Sequence, residues 1–193
     1  MDFSKRQIEI IIAATKLIGE KGLQNLTTKN LAAKMGFSEP AIYRHFKDKT
    51  EILKSVLFYY KETLKDGLSK IIQAETTGIG KIKGMIDFQF NHFTKYPAVI
   101  MVIFAETSFQ YDKELSRVVM EIMAQKKTMV GRIIQSGQKQ GNIRDDIDSD
   151  QLTNVIMGSM RLTVLRWRLS DFEFDLIKEG KILWNTLELL IKK

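Results

Sequence analysis

Residues 27–53, TTKNLAAKMGFSEPAIYRHFKDKTEIL, are the most informative segment of this 193-residue chain. Thr27 is a good N-cap, and Leu31 and Met35 follow it at helical spacing. Gly36 readily adopts the left-handed conformation that ends a helix. The first part of the segment therefore predicts a short helix that stops in a tight turn.

A second short helix is predicted directly after this turn. Ser38 is its expected cap, and Pro40 lies in its first turn, where the missing N–H costs nothing. Ile42 and Phe46 recur four residues apart and form its buried face. The other face carries small, polar and aromatic side chains, namely Glu39, Ala41, Tyr43, Arg44 and His45. A helix, a tight turn and such a second helix predict a helix-turn-helix, whose second helix enters a major groove of DNA.

The residues around this motif resemble the amino-terminal signature of the TetR family of transcriptional regulators, of the AcrR type. The matching positions are Ile10, Ile11, Ala13, Ala14, Gly22, Thr28, Leu31, Ala32, Gly36, Ser38, Ile42, Tyr43, Phe46, Lys49 and Leu53. Many members have Gly where this chain has Pro40 and Ala41, which makes the start of the second helix stiffer. Leu165-Arg166-Trp167 and Leu183-Trp184 are faintly similar to fatty-acid-responsive members.

We expect the DNA contacts to divide into phosphate and base contacts. Helix starts favour phosphate, and the residues there are Thr27, Thr28, Lys29 and Lys49. Tyr43 and His45 are expected at the DNA backbone, and Arg44 at a base edge, because a guanidinium bonds guanine O6 and N7 together. Ser38, Glu39, Pro40 and Ala41 lie close enough to the same bases to complete the set. Two alternatives stay open: Tyr43 as part of the core, and Glu39 as a partner of the helix dipole.

Apolar periodicity and scarce strand signals predict an all-α chain of about nine helices. Residues 1–50 are expected to form a three-helix DNA-binding domain, and 51–193 a helical domain for ligand binding and dimerisation. The predicted helices are Lys5–Lys21, two within 27–46, a long one capped by Asp48 that runs to about residue 73, then 81–96, 97–107, 113–140, Ser149–Leu169 and 172–191. Residues 76–80, TTGIG, are interpreted as a break between helices.

Charge and composition agree with a DNA-binding protein. Residues 1–70 hold 13 Lys and Arg against 8 Asp and Glu, so 5 of the 7 net positive charges fall where the helix-turn-helix lies. A solvated basic surface would explain charge alone equally well. The chain has no Cys, and its longest apolar run, 98–105, is too short for a bilayer, so we expect a cytoplasmic protein without a membrane partner.

The last two predicted helices suit a homodimer, since one short helix reads too few base pairs for a genome and paired half-sites form a palindromic operator. The expected interface consists of Leu152, Val155, Ile156, Ser159, Leu162, Leu183, Leu187 and Leu190. The alternative is that these stripes are only core of one chain.

The resemblance further implies a small-molecule effector in the middle of the chain. Adaptable apolar residues there are Met85, Phe88, Phe93, Met101, Phe104, Met120 and Met123, with Gln89, His92, Glu106 and Arg161 as polar anchors. Methionine and aromatic residues at helical spacing are more often plain core. When an effector binds, the long fourth helix is expected to act as a lever that changes the distance between the two DNA-reading helices of the dimer.

These observations predict a sequence-specific transcriptional regulator, with release from the operator by an apolar effector as the family default. The chain has only two His residues, which is too few to favour a catalytic triad or a His-based metal site. We therefore expect no enzymatic activity, no cofactor and no bound metal. The alternative is a structural or division-regulating protein of the same fold that uses DNA as a scaffold for a protein partner.

Overall fold

The computed structural model describes residues 2–105, 109 and 112–193. These residues contain nine α-helices and form two compact units. The first unit comprises Met1–Thr63 with Tyr96–Glu121, and the second comprises Leu64–Lys95 with Ile122–Lys193. The predicted boundary at residue 50 separates a DNA-binding domain from an effector domain by function, and it stays a prediction. The two compact units are defined by packing and have different boundaries.

The first unit is built on α1 (Lys5–Lys21), α2 (Thr28–Met35) and α3 (Glu39–Tyr43). Ser4 and Gln7 form a reciprocal capping box at the start of α1, and Gly22, with φ of 80°, follows its end. The long helix α4 (Lys49–Ala74) begins in this unit, where the Asp48 carboxylate accepts from the Glu51 N–H at 2.8 Å. The predicted cap and bounds of α4 are therefore confirmed to within one residue.

The predicted turn chemistry of the helix-turn-helix holds except at one cap. The Thr27 hydroxyl accepts from the Asn30 N–H at 3.1 Å, and Gly36 has φ of 68° in the left-handed region. Pro40 lies in the first turn of α3 as expected. Ser38 occupies the N-cap position, but its side chain makes no capping hydrogen bond, so that expectation was wrong. Ile42 and Phe46 are buried and hold α3 to the core.

The remaining helices are α5 (Gly78–Lys95), α6 (Pro97–Ile103), α7 (Lys113–Lys139), α8 (Ser149–Leu169) and α9 (Leu176–Ile191). In the second unit α9 packs against both α5 and α8. Gly180 of α9 permits the approach to α5, because an added Cβ would lie 2.3 Å from Cδ2 of the buried Phe90. The central turns of α5, which this contact packs against α9, carry five of the expected effector residues.

Three predicted helix bounds differ from the structure. The break predicted at TTGIG is present but shorter than expected: it spans residues 75–77, because the Thr77 hydroxyl accepts from the Gly80 N–H at 3.0 Å and α5 begins at Gly78. Helix α6 ends at Ile103, short of the predicted residue 107, and 106–108 lie outside the described residues. Helix α9 begins four residues later than expected, because Phe172 is left-handed with φ of 65° and Asp175 caps the helix.

None of the helices in the described part of the chain combines the length and apolar content needed to cross a bilayer.

Candidate DNA interface and effector region

The predicted DNA contacts all lie in solvent at least in part. The exposed members are Thr27, Lys29, Ser38, Pro40, Tyr43, Arg44 and Lys49, and the partly exposed ones are Thr28, Glu39, Ala41 and His45. Tyr43 is 50% exposed, which argues against its alternative place in the core. We call these eleven residues the reading surface.

A small hydrogen-bond network joins the two helices of the motif. The Thr28 hydroxyl donates to Glu39 Oε2 at 2.9 Å and lies 3.2 Å from the Tyr43 hydroxyl. Because these bonds link the first turn of α2 to α3, they fix the orientation of α3 on the protein. Thr28 therefore uses its hydroxyl within the protein and offers its backbone N–H at the start of α2 to an anion.

The cations of the reading surface remain available to phosphate. Among the residues that the structure describes, no carboxylate lies within 4.0 Å of the charged groups of Lys29, Arg44 or Lys49. Lys49 Nζ donates to the Leu23 carbonyl at 3.5 Å, the long limit of a hydrogen bond. Arg44 follows the last turn of α3 with its side chain in solvent. Such cations can replace the counterions of a DNA backbone or reach a base edge.

The expected effector residues differ in burial, and they lie in both units of the structure. Met85, Phe93 and Phe104 are buried, whereas Phe88, Gln89, His92, Met101 and Arg161 are partly buried. Met101 and Phe104 belong to the first unit, and the other six belong to the second. Glu106 lies outside the described residues.

Met120 and Met123 differ from the buried effector candidates, since they are 66% and 44% exposed. The buried stripe of α7 runs through Leu115, Val118 and Val130. Met120 follows Val118 by two residues, which places it on a different face of the helix. The expected contact of these two methionines with an effector stays a prediction.

Helix α7 contributes a partly buried lysine that the sequence interpretation missed. Lys126 of α7 donates from Nζ to Gln89 Oε1 of α5 at 2.9 Å. Burial, and then the positive charge of Arg161 on α8, lowers the pKa of Lys126 to about 8. We call Lys126, Gln89 and Arg161 the Lys126 cluster.

The position of Lys126 in the sequence carried a signal. Ile122 and Val130 stand four residues before and after it, and Ile133 continues the same apolar stripe of α7. A lysine in an apolar stripe breaks the pattern that packing requires, and such breaks mark functional or strained sites.

Aromatic rings flank Gln89 along α5. The His92 ring centroid lies 5.9 Å from that of Phe88 and 6.3 Å from that of Phe93. Burial lowers the pKa of His92, and the charge of Lys95 lowers it further. A largely neutral imidazole at pH 7 suits an apolar surrounding.

The expected dimer residues also differ in how deeply they are buried in the protomer. Leu152, Ile156 and Leu187 are buried in the protomer, so they are core rather than interface. Ser159 and Leu183 are partly buried. Val155, Leu162 and Leu190 are exposed, by 48%, 58% and 48%.

Five of the exposed apolar residues of α8 and α9 follow a seven-residue spacing. Val155, Leu162 and Leu169 share one face of α8, and Ile182 and Leu189 share one face of α9. We call these five residues the exposed apolar face. Leu169 and Leu189 were missed because periodicity alone does not tell which of two apolar faces a neighbouring helix covers.

An open groove of about 590 Å³ lies elsewhere in the second unit. Its lining includes Ile72, Lys81, Met129, Arg132 and Ile133, and none of the expected effector residues.

The fold, the reading surface and the basic first third of the sequence together define a helix-turn-helix transcriptional regulator. Residues 10–56 match the model of the bacterial regulatory proteins of the tetR family, and 60–193 match that of the YsiA-like protein carboxy-terminal region. The chain belongs to the TetR family, whose regulators bind DNA as dimers and respond to small-molecule effectors.

Known relatives match along nearly the whole chain. The fatty acid metabolism regulator protein of Bacillus subtilis is 25% identical over 189 residues, covering 96% of this chain and 94% of its own. The nucleoid occlusion factor SlmA of Vibrio atlanticus is 20% identical over 190 residues, covering 98% and 97%. The structure of FadR from Bacillus subtilis with stearoyl-CoA has a TM-score of 0.81 at 23% identity, covering 93% and 96%.

Proposed function

We propose that this regulator represses transcription from a palindromic operator and leaves it when a small molecule with a long apolar chain binds. One observation carries the proposal: residues 60–193 match the YsiA-like carboxy-terminal region. The likeness to a FadR structure that holds stearoyl-CoA supports an acyl chain as the apolar part of the effector. The buried Met85 and Phe93 and the partly buried Phe88, all on α5, offer such a chain adaptable apolar contacts.

On DNA, the reading surface positions the protein through phosphates and reads bases through α3. Lys29 and Lys49, with the free N–H groups at the starts of α2 and α4, hold phosphates. Tyr43 and His45 approach the backbone between them. Arg44 reads a guanine, with Ser38, Glu39, Pro40 and Ala41 beside it.

Two chains pair through the exposed apolar face, with Leu190 and Ser159 at its margin. Large apolar side chains at such exposure are costly in water, and a four-helix interface of two α8–α9 pairs removes them from it. The pairing sets the distance between two copies of α3, so operator half-sites about one helical turn apart are expected.

The effector acts through its difference in affinity between the DNA-compatible and DNA-incompatible states. A hundredfold preference for the incompatible state amounts to roughly 2.7 kcal/mol, enough to empty an operator that is bound moderately well. The regulator performs no catalysis in this proposal and acts on chromosomal DNA in the cytoplasm.

Capture of genomic fragments on the purified protein, followed by fluorescence anisotropy, tests the proposal. We expect a small set of fragments, including one near the protein's own gene, that are released by hexadecanoate or hexadecanoyl-CoA. Retention of every fragment at saturating concentrations of both ligands would contradict it.

Similarity to SlmA supports a second function, in which DNA is a scaffold for a protein partner. The same capture experiment separates the two. Many sites spread over the chromosome, with no response to acyl ligands, indicate the scaffold.

A further inference from the structure

The Lys126 cluster places two cationic side chains in the second unit without a carboxylate to neutralise Lys126. Nζ of Lys126 has the neutral amide oxygen of Gln89 as its acceptor. Among the residues that the structure describes, no Asp or Glu lies within 4.0 Å of that ammonium. Lys127, the next residue, by contrast pairs with Asp150 at 3.1 Å.

This arrangement is unfavourable for folding alone. A partly buried ammonium costs desolvation, and the positive charge of Arg161 adds repulsion to it. A methionine or leucine at the same point of the α7 stripe would continue the apolar pattern of Ile122 and Val130 without that cost. Features that cost stability are characteristic of functional sites.

A bound anion reverses both penalties. It accepts hydrogen bonds from Lys126 within reach of the positive charge of Arg161, in partly buried surroundings where charge-assisted bonds are strong. The amide of Gln89 fixes Lys126 Nζ before the ligand arrives, which lowers the ordering cost of binding.

The apolar surroundings define the rest of the ligand. Phe88 and His92 flank Gln89 on α5, and the buried Phe93 follows one residue later. An anionic group at Lys126 therefore continues into an apolar body along these rings.

We propose that the Lys126 cluster binds the anionic head group of the effector, so that the effector is an acyl anion rather than a neutral lipid. This inference rests on the proposed function and adds the charge of the ligand and the residues that recognise it. Lys126 and Arg161 supply the charge, and Gln89 positions Lys126. The anion is the carboxylate of a fatty acid or a phosphate of an acyl-CoA.

Calorimetric titration of the purified dimer with hexadecanoate, hexadecanoyl-CoA and hexadecanol tests the proposal. We expect at least one of the two anionic ligands to bind about tenfold or more tightly than the alcohol. Lys126→Met should abolish this advantage, while Lys127→Met, which removes the same charge one residue away, should preserve it. Loss with hexadecanoate assigns the carboxylate, and loss with hexadecanoyl-CoA alone assigns the phosphate.

Equal binding of the alcohol, or an anion preference that survives Lys126→Met, would overturn the inference while leaving the apolar effector in place. Failure of all three ligands to bind or release DNA would count against the proposed function instead.

A second measurement needs no effector. Crystals of the ligand-free protein soaked in sodium bromide should show anomalous scattering at hydrogen-bonding distance from Lys126 Nζ. An absence of bromide there, with bromide bound at other cations, would contradict an anion site even if Lys126→Met folds poorly.

Discussion

At the scale of single residues, Arg44 and Lys49 have distinct expected roles on DNA. Arg44→Ala should reduce the affinity for the captured operator by about tenfold or more and leave random DNA nearly unchanged, because a base contact is lost. Lys49→Ala should weaken both DNAs alike and reduce the salt dependence by about one counterion, because a phosphate contact is lost. Anisotropy titrations at several salt concentrations measure both effects.

Lys178→Ala is the matched control, since it removes one exposed positive charge from α9 rather than from the reading surface. Equal losses on operator and random DNA for both Arg44→Ala and Lys49→Ala would contradict the division of roles.

The Lys126 charge gives a prediction about stability and pH. In the folded protein the pKa of Lys126 is about 8, below its ordinary value of 10.5, because of burial and Arg161; Gln89, the facing group on α5, is neutral. The folded state is therefore penalised fully below about pH 8, and the penalty fades as the pH rises towards 10.5. Lys126→Met should raise the free energy of unfolding at pH 7 by on the order of 1–3 kcal/mol.

Chemical denaturation of the wild type and of Lys126→Met at pH 7 and pH 10 measures this difference. The advantage of the variant should shrink at the higher pH, because the wild type then loses its buried charge. A variant that is less stable than the wild type at pH 7 would show that Lys126 serves packing instead.

At the scale of secondary-structure elements, the contact between α5 and α9 depends on Gly180. Gly180→Ala should destabilise the protein by about 1–3 kcal/mol, because the new Cβ would overlap the ring of the buried Phe90. Gly131→Ala in α7 is the control, since its Cβ would meet Thr153 Oγ1 at an ordinary 3.6 Å.

Gly131→Ala should be neutral or stabilising, because alanine favours a helix over glycine by about 1 kcal/mol. Thermal unfolding of both variants measures the effect. Similar melting temperatures for the two would show that α5 and α9 do not pack as closely as described.

The sequence was informative about elements wherever local chemistry determines them. The caps at Thr27 and Asp48, the turn at Gly36 and the bounds of α8 follow from residues within one turn. The break at TTGIG is shorter than predicted, because the Thr77 cap starts α5 at Gly78 and both glycines of the segment belong to the helix.

The candidate sites were harder to predict because they depend on which side of a helix its neighbours cover. The residues of the reading surface could be predicted from helical spacing, because α3 has a single buried face around Ile42 and its other positions face solvent. On α8, spacing alone did not separate the core residue Ile156 from the exposed Leu162. Lys126 was overlooked because its partners, Gln89 and Arg161, are distant in sequence.

At the scale of the whole molecule, the exposed apolar face should govern dimerisation and thereby operator binding. Leu162→Glu should convert the dimer to a monomer and lower operator affinity by about thirtyfold or more, because charge enters an apolar interface. Its helix content should not change, since Leu162 is 58% exposed in the protomer.

Met120→Glu is the control for this variant, because Met120 is 66% exposed and lies outside the exposed apolar face. Sedimentation velocity measures the assembly and circular dichroism the helix content. A dimer that persists in Leu162→Glu, or that dissociates equally in Met120→Glu, would place the interface elsewhere.

A binding titration of the purified protein on a captured genomic fragment and on a shuffled duplex of equal length tests directly whether the protein recognises a DNA sequence. At near-physiological salt we predict a preference for the genomic fragment of about a thousandfold or more, with two chains bound per site. Equal affinity for both duplexes would contradict the claim that this chain is a sequence-specific regulator.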